Sequence, residues 1–202
     1  MISLRAPALA ILTTLTLVFP AAAAAQDRSG DPSGGAVYPS ATPAPTPPAE
    51  MTVPGTEAQL LPDGTAAAPA DAPPAVQQAI WAANKIVGRP YIYGGGHRSF
   101  KSTGYDCSGT VSYALHGGGL LKSPLDSGSF MRWGQKGKGI WITVFTNPGH
   151  AYAMIAGLRL DTSAAGVTRK NTKNALAFQS GPRWRPVLRS SRGYRQRHPL
   201  GY

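Results

Sequence analysis

The chain has 202 residues, with 20 Lys and Arg against 9 Asp and Glu for a net charge of +11, and it contains 24 Gly, 19 Pro and one Cys. One cysteine excludes an internal disulfide framework and any zinc site built on several thiolates. The charge fits partners that are polyanions, such as a wall polymer, a membrane surface or nucleic acid.

Residues 1–25 read as a secretory signal peptide: Arg5 supplies the positive start, residues 8–19 the apolar run, and residues 21–25 an Ala-x-Ala cleavage site. The run is shorter than the roughly 20 residues that span a bilayer, and no later segment is long and apolar enough. The expectation is an exported, extracytoplasmic chain with no membrane span. Residues 26–74 are rich in Pro, Ala, Gly, Ser and Thr and read as a disordered linker, because such residues bury too little apolar surface to offset the entropy of ordering. One domain remains, residues 75–202, long enough for a single core. It is more basic than the whole chain: only Arg5 and Arg28 precede it, leaving 18 Lys and Arg, while its carboxylates are Asp106, Asp126 and Asp161 alone.

The first helix is expected over residues 75–87, with Val76, Ile80, Ala83 and Val87 on one face and Gly88 as its C-cap. A short extended piece, Pro90-Tyr91-Ile92-Tyr93, ends in Gly94-Gly95-Gly96, which reads either as a flexible turn or as backbone that approaches a ligand closely. Next comes Tyr105-Asp106-Cys107-Ser108-Gly109, with Asp106 at an N-cap position and Cys107, Val111 and Ala114/Leu115 at helical spacing up to Gly117-Gly118-Gly119. A thiol in the first turn of a helix feels the positive end of the backbone dipole, which favours the thiolate. In an exported chain an unpaired Cys107 points to reactivity ahead of structural burial.

Residues 117–139 read as loop. Residues 140–145 are β-branched and aromatic and read as a strand, Asn147-Pro148-Gly149 as a turn, residues 150–157 as the partner strand and residues 158–162 as a third after a turn at Gly157. Helices feeding an antiparallel sheet make an α+β domain. Pairing about Gly157 brings His150 and Asp161 to neighbouring positions, an imidazole and its orienting carboxylate; with a thiolate they form the constellation of nucleophilic acyl transfer. His97 is the rival base; His116 and His198 lie far from Cys107 along the chain's elements. The arginines and aromatics of residues 183–202 read as a solvated basic edge, too weak a pattern for specific nucleic-acid recognition.

Asp106-Cys107-Ser108-Gly109, preceded by Gly88-Arg89-Pro90-Tyr91-Ile92-Tyr93-Gly94-Gly95 and followed by Gly149-His150 heading a strand, resembles the NlpC family of papain-like cell-wall cysteine peptidases over roughly residues 76–161. The resemblance implies a papain-like α+β domain whose nucleophile-bearing helix packs on an antiparallel sheet. It implies no cofactor or metal, a monomer, a location at the cell wall, and hydrolysis of an amide of the peptidoglycan stem peptide, commonly between D-glutamate and a diamino acid. Cys107 would then be nucleophile, His150 base and Asp161 the orienting residue, with Tyr91, Asp106 and Ser108 receiving the substrate; Asp106 either binds its free amino end or caps the helix. Two departures stand out: Gly139-Ile140-Trp141-Ile142 replaces the usual Gly-Asp-Leu, and Asp161 stands where the third residue is often histidine or neutral. Two alternatives are an N-acetylmuramoyl-L-alanine amidase and a non-catalytic basic module that binds anionic wall polymers.

Overall fold

The computed structural model describes residues 50–186 and 188–202; the expected signal peptide and the first half of the expected linker, residues 26–49, lie outside the described residues. From residue 50 onward the linker expectation fails. Strands β1 (Thr52–Val53), β2 (Gln59–Leu60) and β3 (Ala66–Pro69) form a small sheet in the order β1-β3-β2, with β1 parallel and β2 antiparallel to β3. The folded unit therefore begins by residue 50 rather than 75. Its alanines explain the misreading: Ala66, Ala67 and Ala68 are at most 1% exposed, and methyl side chains let the strand backbone come close to the first helix. A segment poor in large apolar residues is thus held by contact of backbone with a neighbour.

That helix, α1 (Pro74–Asn84), starts on a proline, whose missing N–H costs nothing in a first turn. It buries Val76, Ala79, Ile80 and Ala83 and ends three residues before the expected Val87, with Lys85 as C-cap. Its last residue, Asn84, ties two distant segments to the helix: its Oδ1 accepts from Ala66 N (2.9 Å) and from Trp184 Nε1 (2.8 Å), and its Nδ2 donates to Ala66 O (2.8 Å).

Helix α2 (Cys107–Gly117) begins at the cysteine, and the Asp106 side chain caps it by accepting from Gly109 N at 2.7 Å. The stretch expected to be loop contains a short helix, α3 (Ser127–Phe130), and strand β4 (Gln135–Lys136). Strands β5 (Ile142–Asn147), β6 (His150–Ile155) and β7 (Leu158–Asp161) follow as an antiparallel meander. The β6–β7 turn places Ala156 (φ 46) and Gly157 (φ 81) in the left-handed region, the pairing of a tight two-residue hairpin. A 3-10 turn (Ala175–Phe178) precedes β8 (Arg183–Arg185), and β9 (Arg195–His198) ends the chain's regular structure.

The main sheet has the order β4-β9-β5-β6-β7-β8 with every pairing antiparallel. Alternation sends Ile142, Val144, Ala151, Ala153, Ile155, Leu160 and Trp184 into one cluster with Val76 and Ile80 of α1 and Val111, Ala114 and Leu115 of α2. This is an α+β domain, a cysteine-bearing helix packed on an antiparallel sheet, as the sequence led us to expect. The expected solvated basic edge is corrected: Arg183, Arg185 and Arg197 are buried within strands. Arg185 donates to the carbonyls of Ala177, Gln179 and, through Nε at 3.2 Å, Asp161, while Arg197 donates to Met131 O. Guanidinium groups with several carbonyl partners meet the hydrogen-bonding cost of burial that a charge run in a loop would not face. Among the described residues no helix is long and apolar enough to cross a membrane.

Replacing Asn84 by Ala leaves the Trp184 indole N–H and both backbone groups of Ala66 buried without partners. The expected loss is about 2–4 kcal/mol of unfolding free energy, read by urea denaturation.

Candidate active site

Two short stretches of backbone bring the site together. The first is the N-terminus of α2. Gly109 sits so close to the glycine loop before it that an added Cβ would lie 2.0 Å from Gly95 O, and one on Gly95 would lie 2.4 Å from Gly104 O. Glycine at these positions lets the 94–96 backbone press on the first helical turn, which fixes that wall relative to Cys107. The second is the β5–β6 hairpin. Asn147 Oδ1 accepts from Gly149 N (3.0 Å) and His150 N (2.8 Å), so the Pro148-Gly149 turn is closed by its own side chain and delivers His150 at the strand's first position.

The β6–β7 register pairs Ala153 with Leu160; continued by one residue, it sets Asp161 opposite Tyr152. His150 lies two residues along the same face, and its Nε2–H donates to Asp161 Oδ1 at 2.9 Å. The sulfur of Cys107 also lies close enough to the ring to favour its charged form. With Nε2 committed to Asp161, Nδ1 is the ring nitrogen left for another partner. Burial opposes charging of this imidazole, but the bond to Asp161 and the influence of Asp161 and Cys107 outweigh it, and the pKa is raised to about 9.

Asp161 is 1% exposed. Burial alone would raise its pKa, yet the His150 bond and charge, the Ser163 N–H (2.8 Å) and Arg189 hold it below the usual carboxylate value. Arg189 Nη1 donates to Oδ2 at 3.0 Å, and Arg159 Nε lies 3.6 Å from the same oxygen. Arg189 also sits over the rings of Tyr152 (5.2 Å) and Tyr194 (5.4 Å), and each of those rings is 6.3 Å from the His150 ring. Sequence reasoning missed this bracket. Tyr152 shares the strand period of His150 and was legible; Arg189 and Tyr194 follow an excursion of some thirty residues with no periodicity to place them.

In front of the thiol lies a groove of about 680 Å³ lined by Tyr91, Tyr93, His97, Asp106, Cys107 and Ser108 on one side and by residues 126–129 with Arg132 on the other. Tyr91, Asp106 and Ser108 thus join Cys107 in one cleft. Burial, then the charges of Cys107 and Asp106, push the Tyr91 phenol up. His97, the rival base, is placed elsewhere: its Nε2 lies 2.9 Å from Ser108 Oγ and 2.9 Å from Asp106 Oδ2. Asp106 does cap the helix. Among the described residues no three His, Cys, Asp or Glu side chains converge where a metal ion could be held.

No family model matches the sequence, and no curated protein matches it. Solved structures similar to this chain include the peptidoglycan hydrolase RipB from Mycobacterium tuberculosis, at 23% identity and a TM-score of 0.44, covering 63% of this chain and 66% of that one. Another is RipA, described as a resuscitation promoting factor interacting protein, at 23% identity and a TM-score of 0.43, covering 63% of each chain. A third is RipD from Mycobacterium tuberculosis, described as a non-catalytic NlpC/p60 domain protein adapted to peptidoglycan binding, at 20% identity and a TM-score of 0.43, covering 64% of this chain and all of that one. The matches span under two thirds of the RipB and RipA chains.

The raised pKa of His150 has a stability consequence. The group gains charge-favouring partners on folding, so its contribution is fully present below about pH 6.5 and is lost as pH rises through about 9. Unfolding free energy relative to His150→Gln should therefore shrink across that window. In Asp161→Asn the His150 ring, followed by NMR, should titrate well below 9 because burial then acts against one partner fewer.

Proposed function

We propose that this chain is an exported, NlpC-type cysteine peptidase that hydrolyses an amide bond of the peptidoglycan stem peptide, with Cys107 as nucleophile, His150 as base and Asp161 as orienting residue. The observation that carries this reading is a thiol at the mouth of a helix beside an open groove, together with an imidazole that responds to that thiol and whose Nε2 lies 2.9 Å from Oδ1 of the buried Asp161.

The chemistry runs as follows. His150 Nδ1 takes the thiol proton, and the sulfur attacks the scissile carbonyl carbon. The oxyanion is held by the Cys107 backbone N–H, which at the first helical position has no intrahelical acceptor. The imidazolium gives its proton to the leaving amine, the C–N bond breaks, and a thioester remains on Cys107. Water enters, loses a proton to His150 and attacks the thioester; the C–S bond breaks, the acid product leaves and the thiol is restored.

Substrate class rests on the motif around Cys107 together with the groove's own groups. Tyr91 offers a ring and a hydroxyl, while Asp106 and Ser108 present polar atoms beside the nucleophile. The bond between D-glutamate and the diamino acid is the favoured target. The basic body, with 18 Lys and Arg in residues 75–202, would hold the enzyme on anionic wall polymers.

Purified wall incubated with the wild-type chain should release muropeptides whose masses report a cut stem peptide, and Cys107→Ala should release none while keeping the circular dichroism spectrum. Release of intact stem peptides from the glycan would make it an amidase instead. Unchanged release by Cys107→Ala would end the peptidase reading, and tight pelleting with wall but no release by the wild type would leave a binding module.

A further inference from the structure

The far face of the main sheet, turned away from α2, carries a second hollow. Phe145 of β5 alternates with the core residue Val144, and Tyr152 and Met154 of β6 alternate with Ala151, Ala153 and Ile155, so all three leave the sheet on the side away from the helices. Together with the segment 188–191 they line a cavity of about 460 Å³, a size suited to a small molecule. Phe145, Met154 and Leu188 give it an apolar floor, and Lys138, Arg189 and Tyr152 bring polar hydrogens to it.

Those three donors are not fully used. Among the described residues the Lys138 ammonium has no carboxylate within ion-pair reach. Tyr152 is 1% exposed, yet its hydroxyl makes no hydrogen bond among the described residues; burial pushes the phenol up to about 12, so it keeps its proton and can donate it. Arg189 commits Nη1 to Asp161 at 3.0 Å and has no other hydrogen bond among the described residues, while its side chain lines the hollow. The charge behind these donors is lopsided. Asp161 faces His150, Arg189 and, at 3.6 Å, Arg159. Arg159 is fully buried, and none of its three guanidinium nitrogens has a hydrogen-bonding partner. Directly across the β7–β8 ladder from it stands Arg185, also buried, which feels both Arg159 and Asp161. Like charges facing each other on neighbouring strands repel, and one carboxylate does not balance three arginines. The excess is positive, and the hollow gives a negative charge from solvent access to Arg189.

We propose that this hollow is a binding site for a small organic oxyanion, a carboxylate or phosphate carried on an apolar body, whose head lies among Lys138, Arg189 and the Tyr152 hydroxyl and shares Arg189 with Asp161. Two cations and a hydroxyl supply the charge-assisted donors, and Phe145, Met154 and Leu188 cover the body. Glu57 lines the same hollow beside Gly157, at the turn end of the β6–β7 hairpin, and repels a second negative group there, so the ligand is charged at one end only. Arg189 sits over the Tyr152 ring, which is 6.3 Å from the His150 ring, so occupancy is felt at the imidazole without the ligand entering the groove beside Cys107. The site is separate from that groove and stands whatever bond the groove cleaves.

The full chain is titrated by calorimetry with phenyl phosphate, with benzoate and with uncharged phenol. At least one of the two anions should bind saturably, the tighter of them naming the head group, and phenol should not. Lys138→Gln should weaken the anion by roughly tenfold, and Tyr152→Phe, which keeps the ring and removes the hydroxyl, by roughly fivefold. Lys122→Gln removes the same charge from an exposed position outside the hollow and should change binding by less than about twofold, because distant exposed charges are screened. No saturable binding of either anion, equal binding of phenol, or an equal loss in Lys122→Gln and Lys138→Gln overturns the proposal. As a check that needs no variant, the His150 ring resonances of the unaltered chain should move with the bound anion over the same concentration range as the heat and stay still with phenol. Resonances that ignore the bound anion overturn it as well.

Discussion

A carboxylate with almost no access to water must nevertheless remain ionised, and much of the sheet side of the molecule is arranged around that requirement at Asp161. Burying an isolated carboxylate is prohibitive, and such a group normally neutralises. Here three separate donors surround it, the His150 ring, the Ser163 N–H and Arg189, and the Arg159 guanidinium adds its charge from 3.6 Å. Arg189 is in turn held by two tyrosine rings that also flank the imidazole. Asp161 is what keeps His150 protonatable despite its own burial, so the pH range of that ring's charge is set by the packing behind it.

This gives the chain's basicity a second meaning. Of the arginines near the C-terminus, Arg183, Arg185 and Arg197 lie inside the sheet and Arg189 faces Asp161, so part of the net charge of +11 serves as internal structure. The acidic groups are just as unevenly placed. All three carboxylates of residues 75–202 sit at the site, Asp161 behind the imidazole and Asp106 and Asp126 along the groove. A cleft that holds the acidic groups of an otherwise cationic domain biases which end of a ligand turns inward.

The parts legible in the sequence were those with a short period or a single decisive residue. Cys107 behind Asp106 marked the start of α2, and alternation along residues 150–161 placed His150 and Asp161 on one face. Composition misled where folding relies on small or charged residues. Ala66, Ala67 and Ala68 look like linker because each buries little area, and their order comes from close backbone approach and from Asn84, which no local pattern announces. The arginines of β8 look like surface because burial of a guanidinium depends on carbonyls supplied by Ala177 and Gln179, whose positions are a tertiary fact. His97 was visible as a histidine after three glycines, but only coordinates could separate a ring near sulfur from a ring on Asp106.

Asn84 ties residues 18 and 100 positions away through one amide group. Its contact with Trp184 closes a loop of about a hundred residues, and such long-range closures form late because their entropy must be met before they return anything. Strand β8 lies beside β7, and Arg189 follows it in the chain, so docking of that edge also brings up the counter-charge of Asp161. A chain whose β8 edge is undocked therefore leaves the Asp161 carboxylate without its Arg189 partner, so the charge balance behind the imidazole depends on the far end of the sheet.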